Sequence, residues 1–375
     1  MRFFTPPTGN LVERTLKRWA WVCFVMVLAG GVLQFQLHSI WHMVAFIAAA
    51  GIFSAYQWYF IYHNRHKNVH SDSSRGSRTT LGLANWLSIF RGQLSALLLG
   101  FAVNPRPAGA WAWLPGLLFL TAALLDLADG YVARVRGEET RLGEELDMFL
   151  DGTAVLAASL AAVWWGLAPW LYILVGLARY LFLFGMHLRE RRNLPNYDLD
   201  PRMIRRALAG SQMGYLAVVL LPIFSPPATV IAGIVFMTPF LFHFVRDWLV
   251  VSGKMQPGRD VLIIPVWSPL IIRGLTFAGL VLWIFQWINT PADLVPVVAL
   301  SVLAALILMG AAGRFAALLV VFGAGFAVAA EGLAIVLMMN LVFGSALFFS
   351  GTGKYSLWKP EDRIIYQRAG ENQNS

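Results

Sequence analysis

Four aspartates crowd into the 26-residue segment DLADGYVARVRGEETRLGEELDMFLD: Asp126, Asp129, Asp147 and Asp151. Asp126 and Asp129 are three residues apart and Asp147 and Asp151 four, spacings that set each pair on one face of a helix. The short polar stretch 136–140 predicts a turn that lays two antiparallel helices side by side, so that the four carboxylates converge. Gathered carboxylates repel one another and lose hydration, a cost relieved by protonation or by cations. A divalent ion is the natural counter-charge, and an all-oxygen donor set favours magnesium or manganese over zinc. Gly130, Ala133 and Gly143 leave room beside the carboxylates, and Arg134 offers a planar, permanently charged donor suited to phosphate oxygens. Carboxylate-held metal, an arginine and a cleft of small residues together describe a site for a diphosphate substrate.

The elements that must position these groups are membrane spans. Of 375 residues, 58% are hydrophobic and 13% charged, and the mean hydropathy is +0.63, so no soluble fold could hide the apolar surface. Segments 19–37, 44–62, 81–103, 171–188 and 230–245 approach the ~20 apolar residues that cross a bilayer core as a helix. Further candidates at 110–128, 147–166, 208–224, 268–288, 294–311, 315–330 and 332–350 bring the total to about twelve transmembrane helices. The apolar runs are continuous and lack the period-two alternation of membrane strands, which excludes a β-barrel and predicts an all-α polytopic fold.

The net charge of +9 raises the question of nucleic acid, but its distribution answers otherwise. With a cytoplasmic N-terminus, the basic clusters at 14–18, 65–78, 134–141, 189–206 and 354–368, together with Arg246, Lys254, Arg259 and Arg314, all fall in inner loops, and Arg106 alone falls outside. This positive-inside pattern places both termini and the acidic segment on the cytoplasmic side. The first apolar segment is too long for a signal-peptide core and reads as a retained anchor. Cys23, the single cysteine, lies within it, so neither a disulfide framework nor a thiolate metal site is available.

The acidic segment resembles the signature of the CDP-alcohol phosphotransferases, D-x-x-D-G-x-x-A-R-x8-G-x-x-x-D-x-x-x-D, and matches all eight fixed positions: Asp126, Asp129, Gly130, Ala133, Arg134, Gly143, Asp147 and Asp151. Upstream, Asn85, Ser88 and Arg91 resemble the family's N-x-x-[ST]-x-x-R element. The resemblance covers about 81–252, the size of the family's six-helix core. It implies transfer of a substituted phosphate from a CDP-linked donor to an alcohol, with release of CMP. Carried over, Asp126, Asp129 and Asp147 are ligands of Mg2+ or Mn2+, and Asp151 is the general base, close enough to touch metal as well. Gly130, Ala133, Arg134 and Gly143 shape the CDP pocket, with Asn85, Ser88 and Arg91 lining or bracing it.

For the acceptor, Arg179 stands in the middle of a predicted span, where a charge is costly and usually functional. Arg205, Arg206 and Gln212 loosely resemble a basic-then-glutamine element of family enzymes that use glycerol 3-phosphate, although residues 207–211 depart from it. Positive-inside anchoring accounts for Arg202, Arg205 and Arg206 equally well. The implied partners are CDP-diacylglycerol, a small alcohol and the bilayer, without nucleic acid; a homodimer is left open.

Four parts follow along the chain: 1–80, a two-helix extension with a polar connector; 81–252, the catalytic core; 262–350, four further spans; and 351–375, a cytoplasmic tail. Residues 351–357 (GTGKYSL) resemble the closing motif of DoxX-like four-helix membrane proteins. His63, His66 and His70 match no zinc spacing and read as a solvated loop. Arg273 reads as a residue reaching the cytoplasmic surface and Glu331 as a boundary residue. An inert ion-pair lattice with Arg134, Arg136 and Arg141 would explain the charges but not the small residues. A cation-coupled transporter is the rival function; against it, the acidic cluster has no counterpart in the second half of the chain.

Overall fold

The computed structural model describes residues 9–69, 81–199, 203–256, 268–288, 294–353 and 355–358. Within them the regular structure consists of α1 (Gly9–Leu37), α2 (Ile40–Asn64), α3 (Leu83–Ala102), α4 (Trp113–Arg136), α5 (Arg141–Trp164), α6 (Ile173–Arg191), α7 (Met203–Val219), α8 (Ala228–Val251), α9 (Ser268–Ile288), α10 (Leu294–Met309), α11 (Gly313–Glu331) and α12 (Ile335–Ser350), with short 3-10 turns and no strand. The all-α expectation holds. Eight helical segments, built on α1, α2, α4, α5, α6, α8, α9 and α11, are long and apolar enough to cross a membrane. Shorter apolar stretches lie in α7, α10 and α12.

The remaining helix, α3, is the hub. Asn85, Ser88, Arg91, Gln93 and Ser95 dilute its apolar character, and all five are buried by protein. Surrounding helices make this tolerable, because a polar group shielded from lipid can find partners. α4 and α5 pack along α3, and make little direct contact with each other. The sequence reading of a side-by-side hairpin is therefore corrected: α3 wedges between the two acidic helices, so their carboxylates meet across it. On the far side, the alanine stripe Ala154, Ala157, Ala158, Ala161 and Ala162 of α5 enters the main apolar core with Phe119, Tyr172, Leu216 and Phe236. Small side chains let backbones approach where lipid supplies no hydrophobic drive between helices.

The flanking parts dock on this core. α1 and α2 form a hairpin against α3, with Phe46 filling the space left by Gly30 and Gly100. Gln57 Nε2 donates to the Ile89 carbonyl at 2.9 Å, and Ser54 Oγ to Gln93 Oε1 at 2.9 Å. α9 to α12 form a second cluster that reaches α8 through Ala228 and Ile231.

Two arginines there differ from their expected roles. Arg273 donates Nη1 to the Thr352 and Tyr355 carbonyls at 3.2 and 3.0 Å, holding these two residues near the start of α9 instead of only reaching solvent. Arg314, expected in an inner loop, is buried, and its Nη1 donates to the Phe348 carbonyl at 2.9 Å. It caps the end of α12, whose last carbonyls have no helical partner. Arg314→Met is expected to cost about 2 kcal/mol, read as a lower melting temperature of the detergent-solubilised protein.

Candidate active site

The acidic motif is built by two helix ends and the turn between them. α4 stops at Gly137 (φ 59°, ψ 38°), where the Glu138 N–H bonds the Ala133 carbonyl at 2.8 Å and the Gly137 N–H bonds that of Arg134 at 3.4 Å. This is a left-handed stop that favours glycine. α5 starts at Thr140, whose hydroxyl accepts from the Gly143 N–H at 3.0 Å. The same hydroxyl accepts from Asn85 Nδ2 at 3.1 Å, tying the turn to α3. Gly143 is needed for this tie, since a Cβ there would lie 2.6 Å from Asn85 Oδ1. The surface that sequence reading left open at Gly143 is thus occupied by Asn85, which braces the site.

Asp126, Asp129 and Asp147 each place a carboxylate oxygen within 4.8 Å of the others. Among them lies the guanidinium of Arg91, 2% exposed, which pairs with Asp126, donates Nη2 to Asp147 Oδ1 at 2.7 Å and sits with Nε 3.8 Å from Asp129 Oδ2. Ser88 Oγ donates to Asp129 Oδ2 at 2.8 Å. Among the described residues of this cluster, three carboxylates against the Arg91 guanidinium leave a net charge of −2. A divalent cation would neutralise that charge. Magnesium with bonds of 2.0–2.1 Å holds its ligand oxygens roughly 3–4 Å apart, so a small relaxation would suit the observed spread. The residues fit a hard divalent ion. Arg91, expected on the nucleotide pocket, lies beneath the carboxylates as their fixed counter-ion.

Above this cluster opens a cavity of about 720 Å³. Asn85, Ser88, Asp126, Asp129, Gly130, Ala133, Arg134, Gly143, Asp147, Arg179 and Gln212 all line it. The Arg134 guanidinium folds back over Gly130, whose missing Cβ would lie 3.2 Å from Nη1. Asp151 belongs to α5, and its side chain lies outside the described residues. The same holds for Arg206 in α7, while Arg202 and His70 fall outside altogether.

A smaller, largely apolar cavity of about 290 Å³ adjoins the first, sharing Ala178, Arg179 and Phe240 with it. Arg205 lines the smaller one, with Nε 3.3 Å from Asp247 Oδ2. Gln212 is 1% exposed and its amide is taken up by protein: Tyr172 Oη donates to Oε1 at 2.7 Å, and Nε2 donates to the Phe236 carbonyl at 2.9 Å. It braces α7 against α6 and α8.

Sequence reading missed Asp247, Thr140 and the rim residues Glu138, Glu139 and Glu144. A Thr-x-x-Gly-Glu start to α5 was the available signal for Thr140. Nothing local could have paired Asp247 with an arginine 42 positions earlier (247 − 205).

Residues 81–251 match the family described as CDP-alcohol phosphatidyltransferase. This segment belongs to the CDP-alcohol phosphatidyltransferase family. A curated relative, the CDP-diacylglycerol–glycerol-3-phosphate 3-phosphatidyltransferase of Cereibacter sphaeroides, is 37% identical over 82 residues, which cover 21% of this chain. The match spans only 37% of that relative's length. No solved structure matches the chain. The family segment runs from the start of α3 to the end of α8, so all the cavity-lining residues lie inside it and the flanking helices lie outside.

Removing the central counter-ion of the phosphatidyltransferase core isolates the electrostatics. Arg91→Ala is expected to lower the melting temperature by several degrees in metal-free buffer, with most of the loss recovered at saturating magnesium. A loss that magnesium leaves unchanged would assign Arg91 to packing alone.

Proposed function

We propose that the protein is a divalent-metal-dependent phosphatidyltransferase that moves the phosphatidyl group of CDP-diacylglycerol to the hydroxyl of a small polar alcohol, releasing CMP. The observation that carries this reading is the convergence of Asp126, Asp129 and Asp147 at the floor of a cavity that Arg134 and Arg179 also line. Family membership of the same segment favours it over a cation-coupled transporter.

The chemistry is a substitution at phosphorus. The acceptor oxygen attacks the phosphorus that carries the diacylglycerol, and the bond from that phosphorus to the bridging oxygen breaks. CMP leaves with the bonding electron pair, and the acceptor's hydroxyl proton passes to the Asp151 carboxylate, the proposed base. Bound magnesium or manganese would polarise the pyrophosphate and offset charge on the departing CMP. Asp126, Asp129 and Asp147 would hold that ion. Arg134 grips phosphate oxygens as a planar donor, while Gly130 and Ala133 leave space for the nucleotide. Asn85, Ser88 and Arg91 keep the carboxylates and the turn in register from below. A lipid donor is favoured over a soluble one because apolar side chains such as Leu127, Val155, Met213 and Phe240 also line the cavity. In this reading the site faces the cytoplasm, where the basic clusters lie.

For the acceptor, Arg179 and Arg205 supply cations around the smaller cavity, and Arg206 is a further proposed contact. Two cations, one of them shared with the Asp247 carboxylate, suit an acceptor that carries its own phosphate, with glycerol 3-phosphate ahead of inositol phosphate or another polyol phosphate. The partial likeness to the Cereibacter sphaeroides enzyme is in the same direction.

Purified protein with magnesium or manganese, radiolabelled CDP-diacylglycerol and a panel of alcohols should release CMP with one acceptor strongly preferred; no CMP with any acceptor would overturn the reading. In that assay Asp151→Asn is expected to lower kcat by about 10²- to 10⁴-fold while nucleotide binding survives. Arg179→Ala and Arg205→Ala should raise the acceptor KM about tenfold or more and leave the donor KM nearly unchanged. Unaltered acceptor KM values would return both arginines to an anchoring role.

A further inference from the structure

We infer that α2 and residues 67–69 beyond it, which lie outside the family segment, position the second half of the metal site. The inference rests on the reading of the aspartates as metal ligands. α5 carries Asp147, whose side chain is 51% exposed, and α5 has little contact with α4. The placement of Asp147 relative to Asp126 and Asp129 is set by α3 on one side and by whatever holds the start of α5 on the other.

Three successive residues shortly after α2, Lys67 to Val69, do this. Lys67 Nζ lies 2.8 Å from both Oε1 and Oε2 of Glu145, two residues before Asp147. The Val69 carbonyl accepts from the Arg141 N–H at 3.1 Å, satisfying one of the amides at the start of α5 that have no helical acceptor. Asn68, buried, accepts on Oδ1 from Asn85 Nδ2 at 3.4 Å, beside the Asn85–Thr140 tie. One turn deeper, Phe149 stands midway between Asp147 and Asp151 and points to α2. It stacks on Phe60 and Phe53 with centroids 5.0 and 5.9 Å away, and Tyr56 lies 5.5 Å from it. The helix face opposite the carboxylates is thus fastened to α2 by an ion pair, a backbone hydrogen bond and an aromatic stack. Lys67 and Phe149 are positioning residues, since neither lines the cavity.

The test uses the full chain in detergent and manganese alone as the probe, with the dissociation constant read by electron paramagnetic resonance. Lys67→Glu and Glu145→Lys are each expected to weaken manganese binding about three- to fivefold, as loss of a partly exposed pair allows. The double exchange Lys67→Glu with Glu145→Lys should bring the constant back toward that of the native chain. Rescue of metal affinity by the exchanged pair separates positioning from general loss of stability. Lys67→Gln gives the same comparison without added repulsion should reversal impair folding. Native-like binding in all the single variants would overturn this inference while leaving the metal site standing. A native chain that binds no manganese would instead overturn the reading of the aspartates, and this inference with it.

Discussion

One buried guanidinium organises the centre of this molecule. Arg91 stands on α3 between carboxylates from α4 and α5, and gathers Asp126, Asp129 and Asp147 to within one ion's reach. Three like charges at this spacing could not be held in a weakly polar environment on their own. A single fixed cation reduces the repulsion without removing it, so the cluster keeps a negative surplus toward the cavity. That surplus is the site's capacity for a doubly charged ion. A second arginine among them would have cut that surplus to one charge and weakened the hold on a doubly charged ion.

The rest of the core follows from keeping Arg91 dry and central. α3 must be polar along one stretch, so it has to be enclosed, and α1, α2, α4 and α5 enclose it. The acidic helices must reach past it to meet, so α4 ends in a left-handed glycine and α5 begins at a threonine cap tied to Asn85. The cavity is the space left above the wedge, floored by charge and walled partly by apolar side chains. A substrate with a diphosphate at one end and acyl chains at the other matches that division.

The acidic motif was legible in the sequence because aspartates bordering an apolar helix have few inexpensive roles, and their spacing declares which ones share a face. The all-helical membrane architecture was legible for a similar reason, since continuous apolar runs admit few alternatives. Contacts between separate helices were not. Arg91 reads as one more pocket residue until α3 is seen between α4 and α5, and Gln212 as a ligand contact until Tyr172 and Phe236 are found on its amide. Arg205 was singled out by its charge and a loose motif, while Asp247, which shares its cavity, gave no local signal. Spacing within one helix fixes a face; it says nothing about which distant helix that face will meet.

The enclosure of α3 bears on how the chain enters the bilayer. A segment carrying an arginine, an asparagine and a glutamine has little drive to leave the insertion channel for lipid by itself, because a charged side chain at mid-helix costs about 2.5–3.5 kcal/mol on insertion scales. α1 and α2 precede it in the chain and offer Gln57 and Ser54 to its polar side, so a receptive protein surface already stands in the membrane when α3 emerges. The two helices ahead of the family segment can therefore serve during synthesis as an internal chaperone for a helix that carries a buried arginine.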